Sequence, residues 1–214
     1  MICRKNYRAC ILKEKDLENA LKQDKKIVEE AIKSKKCLTV AIYRHENMLF
    51  LYMEALDEEL TPVELFPELS KLLASWPQRE GMVAWAYMYP IFYHAIPESI
   101  DEWKRSEKKV RRGRIAYLKE DKLFSYVYHH KAIVDEGLLE GDRYQFIALH
   151  EDVLFSYFEE PKQFTHINSE SKDSSKVIEE WIKADPESHF DHELSGEENF
   201  LFLPEIFSMG AEDI

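Results

Sequence analysis

The chain has 214 residues, 45% of them hydrophobic and 33% charged, with a formal charge of −12. That length can bury a sizeable core without disulfide or metal staples, and that composition excludes a disordered chain. The acidic balance argues against a general grip on nucleic acid, which needs a positive face.

The first residues, Met1 to Asn6, lack the apolar core of a signal peptide. Tyr7 to Lys13 is expected to be a short strand. Asp16 to Lys35 follows with apolar residues mostly at helical spacing. Leu38 to Tyr43 and Met48 to Ala55 are β-rich and flank the polar Arg44-His45-Glu46-Asn47, which predicts a hairpin. Thr61-Pro62 opens a second helix, expected to run to Trp76 before Pro77 stops it. Met82 to Tyr93 is a final strand. It contains the longest apolar run, too short to span a bilayer and broken by Pro90. Lys104 to Arg114 is a short basic run, read as a solvated linker.

The same pattern then returns. Arg114–Lys119, Asp121–Leu139, Tyr144–Leu149, Val153–Glu159, Ser175–Ile182 and Asn199–Phe207 repeat strand, helix, hairpin, helix and strand, with a polar loop at Asn168–Ser174. His45 to Glu54 reappears as His150 to Glu159 at a spacing of 105, with six of ten positions identical. Ala9 to Leu17 reappears as Ile115 to Leu123, and Ser70 to Trp76 as Ser175 to Trp181. The expected class is α+β: two tandem ferredoxin-like β-α-β-β-α-β repeats, 1–94 and 113–214, joined by a charged linker, 95–112. Each antiparallel sheet has an open face. Two such sheets covering each other would form a dimeric α+β barrel fused into one chain.

The three cysteines, Cys3, Cys10 and Cys37, have no CxxC spacing. Reduced thiols and a cytoplasmic location are therefore expected, with no membrane or nucleic-acid partner. No GxGxxG or GxxxxGK occurs, so no cofactor is expected. His45-Glu46 and His150-Glu151 sit at equivalent turns, but Leu49 and Leu154 break any HExxH zinc motif. His189, His192 and Glu193 lack further spaced ligands, so no metal is expected.

Four features of the second repeat resemble the L-rhamnose mutarotase family. They are Tyr126-x-x-x-His130 with Ile133 and Glu136, the hairpin of Phe146–Leu149 and Asp152–Phe155, Trp181, and the Phe- and Leu-rich end from Phe200 to Phe207. The resemblance implies a dimeric α+β barrel that interconverts the anomers of a small aldose, with a sugar as partner. It further implies His130 as acid/base, with Tyr126 and Trp181 at the sugar. Phe146 or Tyr144 falls at the family's strand tyrosine, and His129 flanks the site. A fused pair predicts a monomer (a pseudo-dimer) or a homodimer.

Two residues four apart share a helix face, and near neutral pH a histidine suits either proton transfer of ring opening. The first repeat has Ala20 and Asp24 at those positions, so it is expected to be scaffold, or to use Asp24 as a base. The other readings of the pattern are a non-catalytic sugar- or metabolite-binding barrel and a cofactor-light monooxygenase acting on an aromatic substrate. A pocket lined by apolar groups favours the last of these. A pocket with several carboxylates favours a sugar.

Overall fold

The computed structural model describes residues 1–56, 58–79, 81–136, 141–162, 175–196 and 198–214. In chain order the elements are β1 (Cys3–Cys10), α1 (Leu17–Lys33), β2 (Cys37–His45), β3 (Met48–Ala55), α2 (Pro62–Leu65), α3 (Pro67–Ser70), β4 (Trp76–Gln78), β5 (Gly81–Val83), β6 (Ala86–Tyr93), α4 (Ile100–Trp103), β7 (Val110–Tyr117), α5 (Leu123–Glu136), β8 (Phe146–His150), β9 (Val153–Glu160), α6 (Lys176–Lys183), α7 (His192–Ser195), β10 (Leu201–Leu203) and β11 (Glu205–Gly210). This is a mixed α+β fold on antiparallel strands, and none of the described helices is long and apolar enough to cross a membrane.

The chain divides into two compact units. The first comprises Met1–Met88, Pro97–Lys109 and Leu203–Ile214; the second comprises Tyr89–Ile96 and Val110–Phe202. Strand β6 begins in the first and ends in the second.

In the first unit the strand order is β11-β2-β3-β1-β6. Successive side chains on a strand face opposite ways. Leu49, Leu51 and Met53 of β3 therefore join Val40 and Ile42 of β2 in a core closed by Leu17, Leu21, Val28 and Ile32 of α1. Phe50, Tyr52 and Glu54 lie on the opposite face and are also buried. The hairpin turns through Glu46, held at φ 52, a left-handed conformation that few non-glycine residues adopt. Its counterpart Glu151, at φ 57, does the same between β8 and β9.

Three expectations change here. The helix expected from Thr61 to Trp76 is two short pieces, α2 and α3, because Phe66 precedes Pro67 and is driven out of helical geometry, to φ −131 and ψ 60. The strand expected over Met82–Tyr93 is interrupted between β5 and β6, where Trp85 is buried and donates its indole N–H to Ser70 Oγ at 2.9 Å. The basic run is not a solvated linker. Trp103 and Arg105 are buried, and the Arg105 guanidinium grips Glu54 through two bonds of 2.5 and 2.9 Å. Val110, Arg111 and Arg112 already belong to β7.

In the second unit the order is β6-β8-β9-β7-β10. Ile147, Ala116 and Leu154 pack under Tyr126 and Ile133 of α5, with Phe92 and Phe190. The expected helix Asp121–Leu139 is observed as α5 after a turn of 3-10 helix at Glu120–Lys122. Its last expected residues, and the loop Asn168–Ser174, lie outside the described residues. The strand expected over Asn199–Phe207 divides at Pro204, which has no N–H to give to a ladder, into β10 and β11.

Candidate functional site

The buried residues of α5 are Tyr126, His130 and Ile133, spaced to share one face. His130 stacks on Tyr126 with ring centroids 3.9 Å apart and planes 18° from parallel. Its Nδ1 lies 2.9 Å from the Tyr126 carbonyl, so Nδ1 carries the proton and Nε2 keeps its lone pair. Trp181 of α6 meets Tyr126 edge-on at 5.6 Å, His130 at 4.9 Å and His129 at 5.4 Å. Phe92 of β6 lies 5.4 Å from His130, and Phe190 lies 5.7 Å from Tyr126.

These surroundings set the charge states. Burial pushes His130 down to about 4, although its bond to the Tyr126 carbonyl favours the charged form. The ring is therefore neutral near pH 7. Burial lowers His129 as well, and its Nδ1 is enclosed without a hydrogen-bond partner among the described residues. Burial raises the Tyr126 hydroxyl well above its ordinary range, with the nearby positive charge of Arg114 opposing it.

Arg114 comes from β7 and lies against the rings of Phe158, at 5.1 Å, and Phe200, at 4.2 Å. Its Nε reaches Ser156 Oγ at 3.4 Å, and it makes no ion pair among the described residues. Burial lowers its pKa. Lys162 sits 4.1 Å from the Phe158 ring, and its pKa is lowered by burial and then by the charge of Arg114. Two cations thus share an aromatic surface beside Tyr126. Such faces attract cations, and planar rings stack on guanidinium groups.

His130, Tyr126, Trp181 and His129 are brought together, as expected. Phe146 stands apart from them. Phe146 points to the face of β8 opposite Ile147, stacking on Tyr93 at 6.1 Å, and the Tyr144 ring lies under Arg143. Arg114, Phe92 and Phe158 were not singled out as site residues in the sequence, and Phe200 only as the start of the Phe- and Leu-rich end. Arg114 shares its face of β7 with the core residue Ala116, and that alternation is the signal that would have found it.

His189 is fully buried, with Nδ1 on the Asp185 carbonyl and Nε2 on Ser125 Oγ, both at 3.0 Å. No group of three metal-binding side chains forms among the described residues. In the first unit Asp24, at the position of His130, is fully buried. Its two oxygens accept the backbone N–H groups of Glu68, at 3.1 Å, and Leu69, at 2.9 Å. They tie α1 to the start of α3, so both oxygens serve a structural role.

No protein-family model matches the chain. No curated protein matches it. Two solved structures, from Lactobacillus acidophilus NCFM and Fusobacterium nucleatum subsp. nucleatum, both named "putative monooxygenase", align over 99% of this chain. They share 11% and 10% identity with it, are covered over 97% and 95% of their own lengths, and give TM-scores of 0.46 and 0.47. A third, named an anthrone oxidase-like protein, aligns over 99% of this chain and 97% of its own at 8% identity and a TM-score of 0.35.

The expectation of an aldose 1-epimerase acting on L-rhamnose is corrected. The similar structures carry oxygenase and oxidase names, not those of an isomerase. The site agrees. Ring opening of a sugar at neutral pH needs a proton donor as well as a base, and a histidine held at about 4 is neutral, with its one N–H already given to the Tyr126 carbonyl. Among the described residues its ring neighbours are Tyr126, Trp181 and Phe92.

Proposed function

We propose that the second unit binds a planar, acidic aromatic compound and oxidises it with molecular oxygen, without a bound cofactor. The observation that carries this reading is Arg114: a partly desolvated cation on aromatic faces, beside Tyr126, without a carboxylate partner among the described residues. Such a cation favours the anion of a phenol or of a ring-activated CH2 group, lowering its pKa. An electron-rich carbanion can reduce oxygen directly. A C–O bond forms as the peroxide, and loss of water leaves a carbonyl, so that CH2 and O2 become C=O and H2O. Neutral His130 offers its Nε2 lone pair as an acceptor, and Trp181, Phe190 and Phe92 supply the apolar walls.

We also infer that the chain is a fused dimeric α+β barrel made of two ferredoxin-like repeats, the monomer acting as a pseudo-dimer. Equivalent details support this. Ile11 N–H bonds the Asn47 carbonyl as Leu118 N–H bonds that of Asp152. Tyr52 donates to Glu54 at 2.7 Å as Tyr157 donates to Glu159 at 2.6 Å. The exchange of last strands is reciprocal too: β11 pairs with β2, and the second half of β6 pairs with β8.

The test measures oxygen uptake with anthrone and 1-naphthol, in metal-free buffer, alongside binding by isothermal titration calorimetry. Uptake of one oxygen per anthrone, lost in Arg114→Met, is the expected result. Binding without uptake would overturn oxidation and leave a binding protein. Absence of binding would overturn both.

A further inference from the structure

The first unit holds a pocket whose lining shares no residue with the Tyr126–His130 site. It encloses about 440 Å³ between α1, the end of β2 and β11. That is within the range of small-molecule sites, roughly 300–1,000 Å³. Its floor is apolar: Leu17 and Leu21 of α1 face Ile206 and Phe207 of β11. Phe207 is braced edge-on by Phe66, 5.3 Å away and at 89°.

Its rim has another character. Lys22, Lys25 and Arg44 stand around the opening, with Glu18 as the one acid. Lys22 and Lys25 are exposed and make no ion pair among the described residues. Arg44 is anchored, with Nη2 on Glu14 at 2.5 Å and Nε on the Glu46 carbonyl at 2.6 Å. With Arg44 neutralised by Glu14, the mouth keeps Lys22 and Lys25 against Glu18, a locally positive balance on a chain whose formal charge is −12.

We propose that this pocket binds an amphipathic carboxylate, its aliphatic tail on Leu17, Leu21 and Ile206 and its head group at Lys22 and Lys25. Three of the four floor residues, Leu17, Leu21 and Ile206, are branched and aliphatic and offer a flexible chain its contact surface. Each exposed lysine contributes modestly and in a salt-dependent way, so together they set the preference for an anion, while the tail supplies most of the affinity.

The experiment titrates the full chain with octanoate and, separately, with 1-octanol, following methyl NMR signals of Leu17, Leu21 and Ile206. Octanoate is expected to saturate those signals and to bind about tenfold more tightly than octanol at low salt, with the margin narrowing as salt rises. Lys22→Glu with Lys25→Glu is expected to erase the margin while leaving octanol binding unchanged. Equal binding of the two probes by the unaltered chain would overturn the anion preference. Shifts absent from these methyls would overturn the site. Neither outcome depends on what the second unit binds, because oxygen uptake is not the readout.

Discussion

His130 lies flat against Tyr126 and bonds that residue's own backbone carbonyl, so one turn of α5 fixes both the ring and its tautomer. The folded chain keeps His130 neutral down to about pH 4, while an ordinary histidine takes up its proton near 6.5. Between those values the unfolded chain binds more protons, so stability is expected to fall as pH drops from about 6.5 to about 4. The full effect is about 3 kcal/mol at most. Urea denaturation at several pH values measures it, and His130→Gln should flatten that part of the profile. An unchanged slope in the variant would contradict the buried neutral ring.

In the first unit Glu54 is fully buried between Arg105, Tyr52 and the indole of Trp103, which donates at 2.9 Å. Burial alone would raise its pKa, but the Arg105 charge and hydrogen bonds outweigh that and hold the carboxyl at about 2. Removing one partner strands the other charge. Arg105→Ala is expected to cost about 3–5 kcal/mol, and Glu54→Leu with Arg105→Met about as much, because the second removes the stranded charge but leaves the Tyr52 hydroxyl and Trp103 indole N–H without their acceptor. Chemical denaturation of the single and double variants checks this. A single Arg105→Ala variant as stable as the unaltered chain would contradict the buried ion pair. The native ion pair should also weaken as pH falls from about 4.5 towards 2, as the carboxyl becomes protonated.

The aromatic reading makes Arg114 the selective residue for anions. Arg114→Met keeps an apolar stem against Phe158 and Phe200 but removes the charge. Naphtholate binding is expected to weaken by about tenfold or more, with neutral naphthalene nearly unaffected. Calorimetry with both compounds separates the effects, and equal losses would point to packing instead.

Much of this was legible in the sequence, for a physical reason in each case. The β2–β3 hairpin could be read because its alternation and polar turn are local, and Met48–Ala55 was placed to the residue. Tyr126 and His130 could be paired because four residues make one helical turn. Arg105 could not be read, because its partner Glu54 is 51 residues away and nothing local marks an arginine as buried. The side that Phe146 faces was not legible, because its alignment rested on a resemblance and a shift of one residue on a strand reverses the side. The proton state of His130 was not readable either, since it depends on rings contributed by β6 and α6.

Asp24 tests the asymmetry between the repeats. It holds the place of His130 and gives both oxygens to the N–H groups that open α3. Burial raises its pKa, and those two hydrogen bonds oppose the rise. Asp24→Ala leaves two backbone donors without their acceptor, at a cost of about 1–3 kcal/mol. Asp24→Asn keeps one acceptor but places a donating amide group against a second N–H, so it should recover only part of that loss. If the residue served chemistry, its removal would alter oxygen uptake and leave the melting temperature nearly unchanged. The expected result is the reverse: a lower melting temperature, with uptake per folded molecule intact.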